Sequence, residues 1–239
     1  MTGPISSNEF GQPVGVEVHG WEPVAFPEGH RLTGRFGAVE KLDADRHGDQ
    51  LFEAVQMAPD DSDWTYLAYG PFHDKGEWLR WLGTMQSGDD PFFYTILDTA
   101  GKALGLASLM RINPAHGVIE IGHIHLLTPL QRTPLATEAL SLLMRYVFEL
   151  GYRRLEWKCD SCNARSQASA RRLGFTYEGL FRQAVVVRGR NRDTAWFSLL
   201  DSEWPAVLAA HEQWLSAENF DAEGRQRRSL RELTATATS

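Results

Sequence analysis

The stretch that decides the fold is Glu120–Phe175, EIGHIHLLTPLQRTPLATEALSLLMRYVFELGYRRLEWKCDSCNARSQASARRLGF. The alternating apolar run Ile119–Leu127 predicts a strand. After a polar turn, Thr133 stands in the N-cap position of a helix and Pro134 in its first position, where a missing N–H costs no hydrogen bond. Apolar residues then recur at helical spacing up to Gly151, which predicts a helix with one buried face.

A second strand is predicted at Arg153–Cys159, directly after this helix. Strand, turn, capped helix and strand together form a βαβ-like unit. The N-terminus of such a helix presents free backbone N–H groups to an anion. The spacing therefore predicts a site for a phosphate-bearing ligand, and it does not identify that ligand.

Three segments within this stretch carry recognisable motifs. They are Gln131-Arg132-Thr133-Pro134-Leu135-Ala136, then Ala136-Thr137-Glu138-Ala139, then Asn163-x-x-Ser166 followed by Ala170-x-x-Leu173-Gly174-Phe175. They resemble the acyl-CoA-binding core of the GCN5-related N-acetyltransferase (GNAT) family, most closely its ribosomal-protein N-terminal acetyltransferase-like branch. The first segment corresponds to the family's Q/R-x-x-G-x-G/A loop. Pro134 stands at its central glycine, so phosphate binding must rest on neighbouring amides.

The resemblance implies an α/β fold, a GNAT-like mixed central sheet flanked by helices, with an N-terminal arm and a C-terminal helical extension. It implies transfer of an acetyl group from acetyl-CoA to a primary amine, of a small molecule or a protein N-terminus, by direct attack in a ternary complex. The alternative is a non-catalytic acyl-CoA-binding regulatory protein, which Pro134 favours. A dinucleotide-binding oxidoreductase is disfavoured because the chain has no G-x-G-x-x-G motif.

The resemblance also implies which residues contact acetyl-CoA. Backbone groups at the end of the central strand, Leu126 to Thr128, are expected to polarise the thioester carbonyl. Asn163 is expected to contact the pantetheine arm and to cap the helix that follows it. For Arg171 and Arg172 a solvated helix face is the preferred prediction, and contact with the CoA phosphates is the alternative. The full set of predicted cofactor contacts is Leu126, Thr128, Gln131, Arg132, Thr133, Leu135, Ala136, Thr137 and Asn163.

Proton transfer has three candidate residues. Glu120 holds a position where relatives in this branch often carry an acidic residue, whereas His123 has the better intrinsic pKa for a base near neutral pH. Strand alternation places Glu120 on the face opposite His123 and His125 unless a bulge intervenes. The choice of base stays open. Ser166 is the candidate acid, donating to the leaving thiolate in place of the tyrosine that many relatives use.

The length of 239 residues predicts one domain with extensions: an arm at residues 1–30, an acetyltransferase domain at 31–220 and a charged, flexible tail at 221–239. A net charge of −7 argues against a general nucleic-acid binder and favours a cationic small molecule or peptide as acceptor. The sequence shows no apolar run near the roughly 18 residues of a membrane span and no signal pattern, so we expect a cytoplasmic protein. A homodimer is a possible assembly.

Cys159 and Cys162 form a C-x-x-C pair with no second pair to complete a zinc site, so no metal is expected. The aromatic residues between Trp64 and Met85 predict core packing or, alternatively, the wall of an acceptor pocket. The remaining predicted elements are strands at 30–42, 92–97, 104–112, 118–127, 181–187 and 194–200, and helices at 44–57, 74–86 and 203–216.

Overall fold

The computed structural model describes residues 5–237, so residues 1–4 of the expected arm and 238–239 of the expected tail lie outside the described residues. The strands are β1 Ile5–Ser7, β2 Pro13–Gly15, β3 Leu32–Thr33, β4 Gly37–Lys41, β5 Phe92–Asp98, β6 Ala103–Asn113, β7 Val118–Leu126, β8 Arg154–Asp160, β9 Thr176–Val187 and β10 Arg190–Leu200. The helices are α1 Ala44–Val55, α2 Lys75–Gln86, α3 Pro134–Glu149, α4 Ala164–Arg172, α5 Trp204–Leu215 and α6 Leu230–Ala237.

One eight-stranded sheet, in the order β3-β4-β5-β6-β7-β8-β10-β9, carries the fold. Its neighbouring strands are antiparallel except β7 and β8, which are parallel. The prediction of a mixed sheet flanked by helices is confirmed. A separate two-stranded hairpin, β1 with β2, lies in the segment expected to be an N-terminal arm. Trp21 fixes that segment to the body, because its Nε1 donates to the Ala115 carbonyl at 2.9 Å.

The core has two parts, one on each face of the sheet. Ile119, Leu155 and Phe197 belong to the part that also contains α3 and α5. Phe93 and Leu106 belong to the other part, which contains α1, α2 and most of the aromatic residues between 64 and 85. Core packing is therefore the main role of these aromatic residues.

The strand predicted at 30–42 is two strands, β3 and β4, and the prediction of a single strand is wrong. The Gly34 N–H bonds to the Gly37 carbonyl at 2.8 Å, which closes a tight turn between them. The buried carboxylate of Glu138 on α3 accepts from the backbone N–H groups of Arg35 and Phe36, each at 2.7 Å. This side chain thus attaches the turn to the first half of α3.

The expectation of a flexible tail from Asp221 needs correction at α6. Leu230 and Leu233 are only 1% and 5% exposed and belong to the same core as α5. The two leucines lie about one helical turn apart, so both point to one face of α6 and bury there. The charged residues between them hide this pattern in the sequence.

His211 on α5 is fully buried and gives stability a defined pH dependence. Its Nδ1 lies 2.9 Å from Ser141 Oγ and its Nε2 3.1 Å from the Leu173 carbonyl, and burial lowers its pKa to about 4. The unfolded chain, with an ordinary histidine pKa near 6.5, therefore binds more protons between these values, so stability falls as pH falls.

We predict that the free energy of unfolding decreases from pH 7 to pH 4, with about 3 kcal/mol at most due to His211. The variant His211→Gln should be less stable than wild type at pH 7 and lose less stability on acidification. Urea unfolding at pH 7, 6 and 5 measures both slopes. Equal slopes for the two proteins would contradict the assignment.

Candidate active site

A cleft opens where β7 separates from β8. The parallel pairing comprises Val118↔Arg154, Ile119↔Leu155 and Glu120↔Glu156 and does not extend further. Just beyond it, β7 contains a β-bulge, because the two residues between Gly122 and His125 face the single residue Ala107 of β6. His123 in this bulge has a φ of 47°, an uncommon value for a residue other than glycine. A bulge bends its strand, and here it carries β7 away from β8.

The bulge also changes which residues share a face of the sheet. Glu120 pairs with Met110, and His125 pairs with Leu106. Leu106 and Met110 are four residues apart on β6 and therefore lie on the same face of the sheet, so Glu120 and His125 share that face. The ring of His123 packs on Phe93, at 5.2 Å between centroids, on that same face. Without a bulge Glu120 would face away from both histidines; the bulge is present, interrupts the alternation and places all three side chains on one face.

A cavity of about 960 Å³ occupies the cleft between β7, α3 and α4. Eight predicted residues line it: Leu126, Gln131, Arg132, Thr133, Ala136, Thr137, Asn163 and Ser166. Leu135 is instead buried in the core, and Thr128 lies in a small recess behind Trp64. Glu120 and His123 are not among the residues that line the cavity.

The N-terminus of α3 offers hydrogen-bond donors to this cavity. Thr133 caps the helix by accepting from the Ala136 N–H at 3.3 Å. Within residues 5–237 no hydrogen bond engages the N–H of Arg132 or of Leu135. Pro134 between them has no N–H to give. Two amides and the Arg132 side chain are therefore the donors at the position of the pyrophosphate loop.

The N-terminus of α4 forms a second polar wall. The Asn163 side-chain oxygen accepts from the Ser166 N–H at 3.0 Å, which leaves the Asn163 NH₂ group for a ligand. Ser166 Oγ accepts from Trp157 Nε1 at 3.0 Å. Because the indole can only donate, this bond does not use the Ser166 hydroxyl proton. Burial raises the pKa of the neighbouring Cys159 thiol, which is hydrogen-bonded to Ser166 and is not disulfide-linked.

Arg172 is a cavity residue that the sequence analysis placed on a solvated face. Its Nη1 donates to Thr137 Oγ1 at 3.1 Å, and burial lowers its pKa, although a guanidinium stays charged at neutral pH. The charged side chains that line the cavity are Arg132, Arg165 and Arg172 against one aspartate, Asp63. An excess of arginine in a chain of net charge −7 fits an anionic ligand such as the diphosphate of acetyl-CoA.

Residues 62–66 form the opposite wall of the cavity. None of these residues is singled out as a site residue by the sequence alone. Tyr66 Oη donates to the Cys162 carbonyl at 3.1 Å, and Asp63 accepts from Gln131 Nε2 at 3.0 Å. These two contacts join residues 62–66 to the α3 side of the cleft, through Gln131, and to the α4 side, through Cys162. The local sequence does not predict these two contacts, because the residues of each pair lie more than sixty positions apart in the chain.

A buried ion cluster lies where the cleft begins. Lys158 Nζ is 2.8 Å from Glu120 Oε2 and 2.6 Å from Glu156 Oε2, and Arg111 Nε is 3.2 Å from Glu120. Burial raises the pKa of Glu120, although the hydrogen bond from Lys158 acts in the opposite direction. The ring of Trp196 covers Lys158, with Nζ 3.9 Å from the ring centroid.

Comparison with known proteins defines the class to which this fold and cavity belong. Residues 43–176 match the family model described as "Acetyltransferase (GNAT) domain", and the chain belongs to this family of N-acetyltransferases. It is similar to the solved structure of a GCN5-related N-acetyltransferase from Brucella melitensis, with 47% identity, a TM-score of 0.89 and coverage of 91% of this chain and 100% of that one.

Two further relatives support the assignment. A probable acetyltransferase of the GNAT family from Chromobacterium violaceum ATCC 12472 is 43% identical, with a TM-score of 0.76 and coverage of 86% of this chain and 100% of that one. The Bacillus subtilis (strain 168) protein named "Putative ribosomal N-acetyltransferase YdaF" is 30% identical over 174 residues, which are 70% of this chain and 90% of the relative. The predicted family and GNAT-like fold are confirmed.

Among the helices of residues 5–237, none has the length and apolar character needed to cross a membrane. In the same range, no three His, Cys, Asp or Glu side chains stand together as ligands for a metal ion.

Pro134 provides a direct test of the donor set at α3. We predict that Pro134→Ala, which adds one N–H beside the amides of Arg132 and Leu135, lowers the Kd for acetyl-CoA by roughly tenfold, since a hydrogen bond to a charged group is worth about 1.5–3 kcal/mol. Isothermal titration measures the change. Pro114→Ala, at the first position of a short helical turn remote from the cavity, is the matched control and should leave the Kd unchanged. An equal or weaker affinity in Pro134→Ala would contradict the assignment of α3 as the phosphate site.

Proposed function

We propose that this protein transfers an acetyl group from acetyl-CoA to a primary amine, of a small molecule or a protein N-terminus, by direct attack in a ternary complex. One observation carries the proposal: a single cavity joins Arg132, at the start of α3, to Ser166 at the split between β7 and β8. Acetyl-CoA, when bound, supplies the activated acetyl thioester. The residues of the chain bind and orient acetyl-CoA and transfer the protons.

Binding of the diphosphate is assigned to the N–H groups of Arg132 and Leu135 and to the guanidinium of Arg172. Each is a hydrogen-bond donor at the N-terminal turn of α3, where the helix dipole also favours negative charge. The Asn163 NH₂ group is assigned to the pantetheine arm, because its own oxygen is already occupied as the cap of α4.

Polarisation of the thioester carbonyl is assigned to the Leu126 N–H. The Leu126 carbonyl accepts from Gln131 Nε2 at 3.0 Å, outside the β6–β7 ladder. The N–H and C=O of one strand residue point to the same side, so the Leu126 N–H also points away from β6 and toward the cleft. A backbone donor fixed in this way needs no reorganisation during the reaction.

The leaving thiolate receives its proton from Ser166 in this proposal. Trp157 donates to Ser166 Oγ and thereby orients the hydroxyl. The same hydrogen bond stabilises negative charge that develops on the oxygen after it gives up the proton. Ser166 lines the cavity, as this role requires.

Glu120 is favoured over His123 as the group that takes the proton from the amine, directly or through a water molecule. Burial raises the pKa of Glu120 toward neutral pH, whereas it lowers the pKa of His123. His125 is a weaker base still, since burial lowers its pKa to about 4. Glu120 also lies at the last paired position of β7 and β8, where the cleft begins.

The acceptor is tested by measuring thiol release from acetyl-CoA in the presence of different amines. The name of the YdaF relative makes a peptide with a free α-amino group the first acceptor to test, and a polyamine represents small cationic amines. The same peptide with a blocked N-terminus is the control. Thiol release with either free amine supports the proposal. Binding of acetyl-CoA without thiol release would favour the non-catalytic regulator.

For the base, we predict that Glu120→Gln removes the rise of kcat/KM with pH and lowers kcat/KM by about 10²-fold or more at pH 7.5, the usual effect of losing a general base. His123→Gln should retain the wild-type pH profile. The test is a pH series of kcat/KM for all three proteins, with circular dichroism to establish folding. A full pH-dependent rise in folded Glu120→Gln would remove Glu120 from the mechanism.

A further inference from the structure

The segment after α5 forms part of the cavity that holds acetyl-CoA in the proposed function. Gln226, Ser229 and Leu230 of this segment, together with Trp214 near the end of α5, line the same cavity as the first turns of α3. The cavity therefore extends from Leu126 and Ser166 at the split strands, past Thr133 and Thr137, to a wall built by the C-terminal segment. From the sequence, residues 221–239 are expected to form a charged, flexible tail.

This wall is firmly attached to the body of the protein. Asn219 Nδ2 donates to the carbonyls of Trp214, at 3.0 Å, and Arg228, at 3.2 Å, while its Oδ1 accepts from the Arg228 N–H at 2.9 Å. Thr234 Oγ1 lies 3.3 Å from the carbonyl of Arg172, itself a cavity residue, and 3.1 Å from the carbonyl of Leu230 in its own helix. Together with the buried Leu230, these bonds hold the segment in one position against α4 and α5.

The polar groups of the wall are suited to an anionic, hydrogen-bonding ligand. Gln226 Oε1 accepts from Trp214 Nε1 at 2.8 Å, which leaves the two N–H donors of its amide. Ser229 and Glu232 form a reciprocal cap, with Ser229 Oγ 3.3 Å from the Glu232 N–H and Glu232 Oε2 3.0 Å from the Ser229 N–H. The N-terminal end of α6 therefore faces the cavity at Ser229 and Leu230.

The same segment, residues 225–231, is rich in arginine. The exposed Arg227, Arg228 and Arg231 are interspersed in the chain with the cavity residues Gln226, Ser229 and Leu230. Arg225, by contrast, is bonded to Asp221 at 2.9 Å and to Glu223 at 3.0 Å. Three arginines of the sequence RQRRSLR are thus chain neighbours of cavity residues, although none of the three lines the cavity itself.

We propose that this wall, residues 226–230, determines cofactor specificity by recognising the 3′-phosphorylated adenosine end of acetyl-CoA. The inference rests on the proposed use of acetyl-CoA at this cavity. In the proposed function the thioester lies at Leu126 and Ser166 and the diphosphate lies at the N-terminus of α3. The nucleotide is then the part of acetyl-CoA that remains to occupy the end of the cavity at residues 226–230. Gln226 and Ser229 are then specificity-determining residues.

The experiment uses Gln226→Glu, which keeps the oxygen that accepts from Trp214 and replaces the N–H donors by a negative charge. Calorimetric titration measures the Kd for acetyl-CoA, for adenosine 3′,5′-bisphosphate and for adenosine 5′-monophosphate. Gln213→Glu is the matched control, since it makes the same change on the exposed face of α5 beside Trp214 and does not line the cavity. Thermal unfolding without ligand establishes that each variant folds.

We expect wild type to bind the 3′,5′-bisphosphate more tightly than the monophosphate. Gln226→Glu should weaken binding of acetyl-CoA and of the bisphosphate by roughly tenfold or more, because it places like charges together, and Gln213→Glu by less than about twofold. If Gln226→Glu does not fold, Ser229→Asp provides the same test, because aspartate caps a helix as well as serine does.

Equal affinities for acetyl-CoA in folded Gln226→Glu, or Ser229→Asp, and in Gln213→Glu would overturn this inference. That result leaves the proposed function intact, provided that wild type binds acetyl-CoA. If wild type binds no acetyl-CoA at millimolar concentration, the proposed function fails and this inference fails with it. The wild-type titration therefore separates the two failures.

Discussion

The parallel pairing of β7 with β8 stops after Glu120 and Glu156, and the rest of the site depends on where it stops. At this last pair Lys158 bonds to both carboxylates, so the point of separation is held by a buried ion cluster. Removing one partner from such a cluster costs about 3–5 kcal/mol, because an uncompensated charge stays buried. The bulge at His123 then turns β7 away, and backbone groups that would have bonded to β8 face the cleft instead.

Both helices that border the cleft begin at the same end of the sheet, because α3 follows β7 and α4 follows β8. Each begins with a side-chain cap, Thr133 or Asn163, that satisfies one N–H of its own helix. Around the start of α3, Arg132, Ala136 and Thr137 line the cavity. Arg172, at the far end of α4, returns to the start of α3 and adds a charge there. One cavity therefore offers an anion site at one end and a hydroxyl proton at Ser166.

The sequence was sufficient for α3 and α4, because their signals are local. Thr133 with Pro134 and Asn163 with Ser166 are N-terminal patterns that depend on a few neighbouring residues. The bulge at His123 could not be predicted, since it depends on the register with β6, and Gly122 beside it is a weak sign at most. A solvated face was preferred for Arg172, and α6 was missed, because a charged, short segment looks solvated until its packing partners, Thr137 for one and α5 for the other, are known.

The central claim is that this cavity binds acetyl-CoA although Pro134 occupies the position of the family's glycine. Thermal unfolding of the wild-type protein with acetyl-CoA, and with NAD as a comparator that shares the adenosine diphosphate but lacks the 3′-phosphate and the pantetheine arm, tests it most directly. A ligand at a hundredfold its Kd adds about 2.7 kcal/mol of stability. We predict a clear rise of the unfolding temperature with acetyl-CoA and none with NAD. No rise with acetyl-CoA at millimolar concentration, or an equal rise with NAD, would contradict the account.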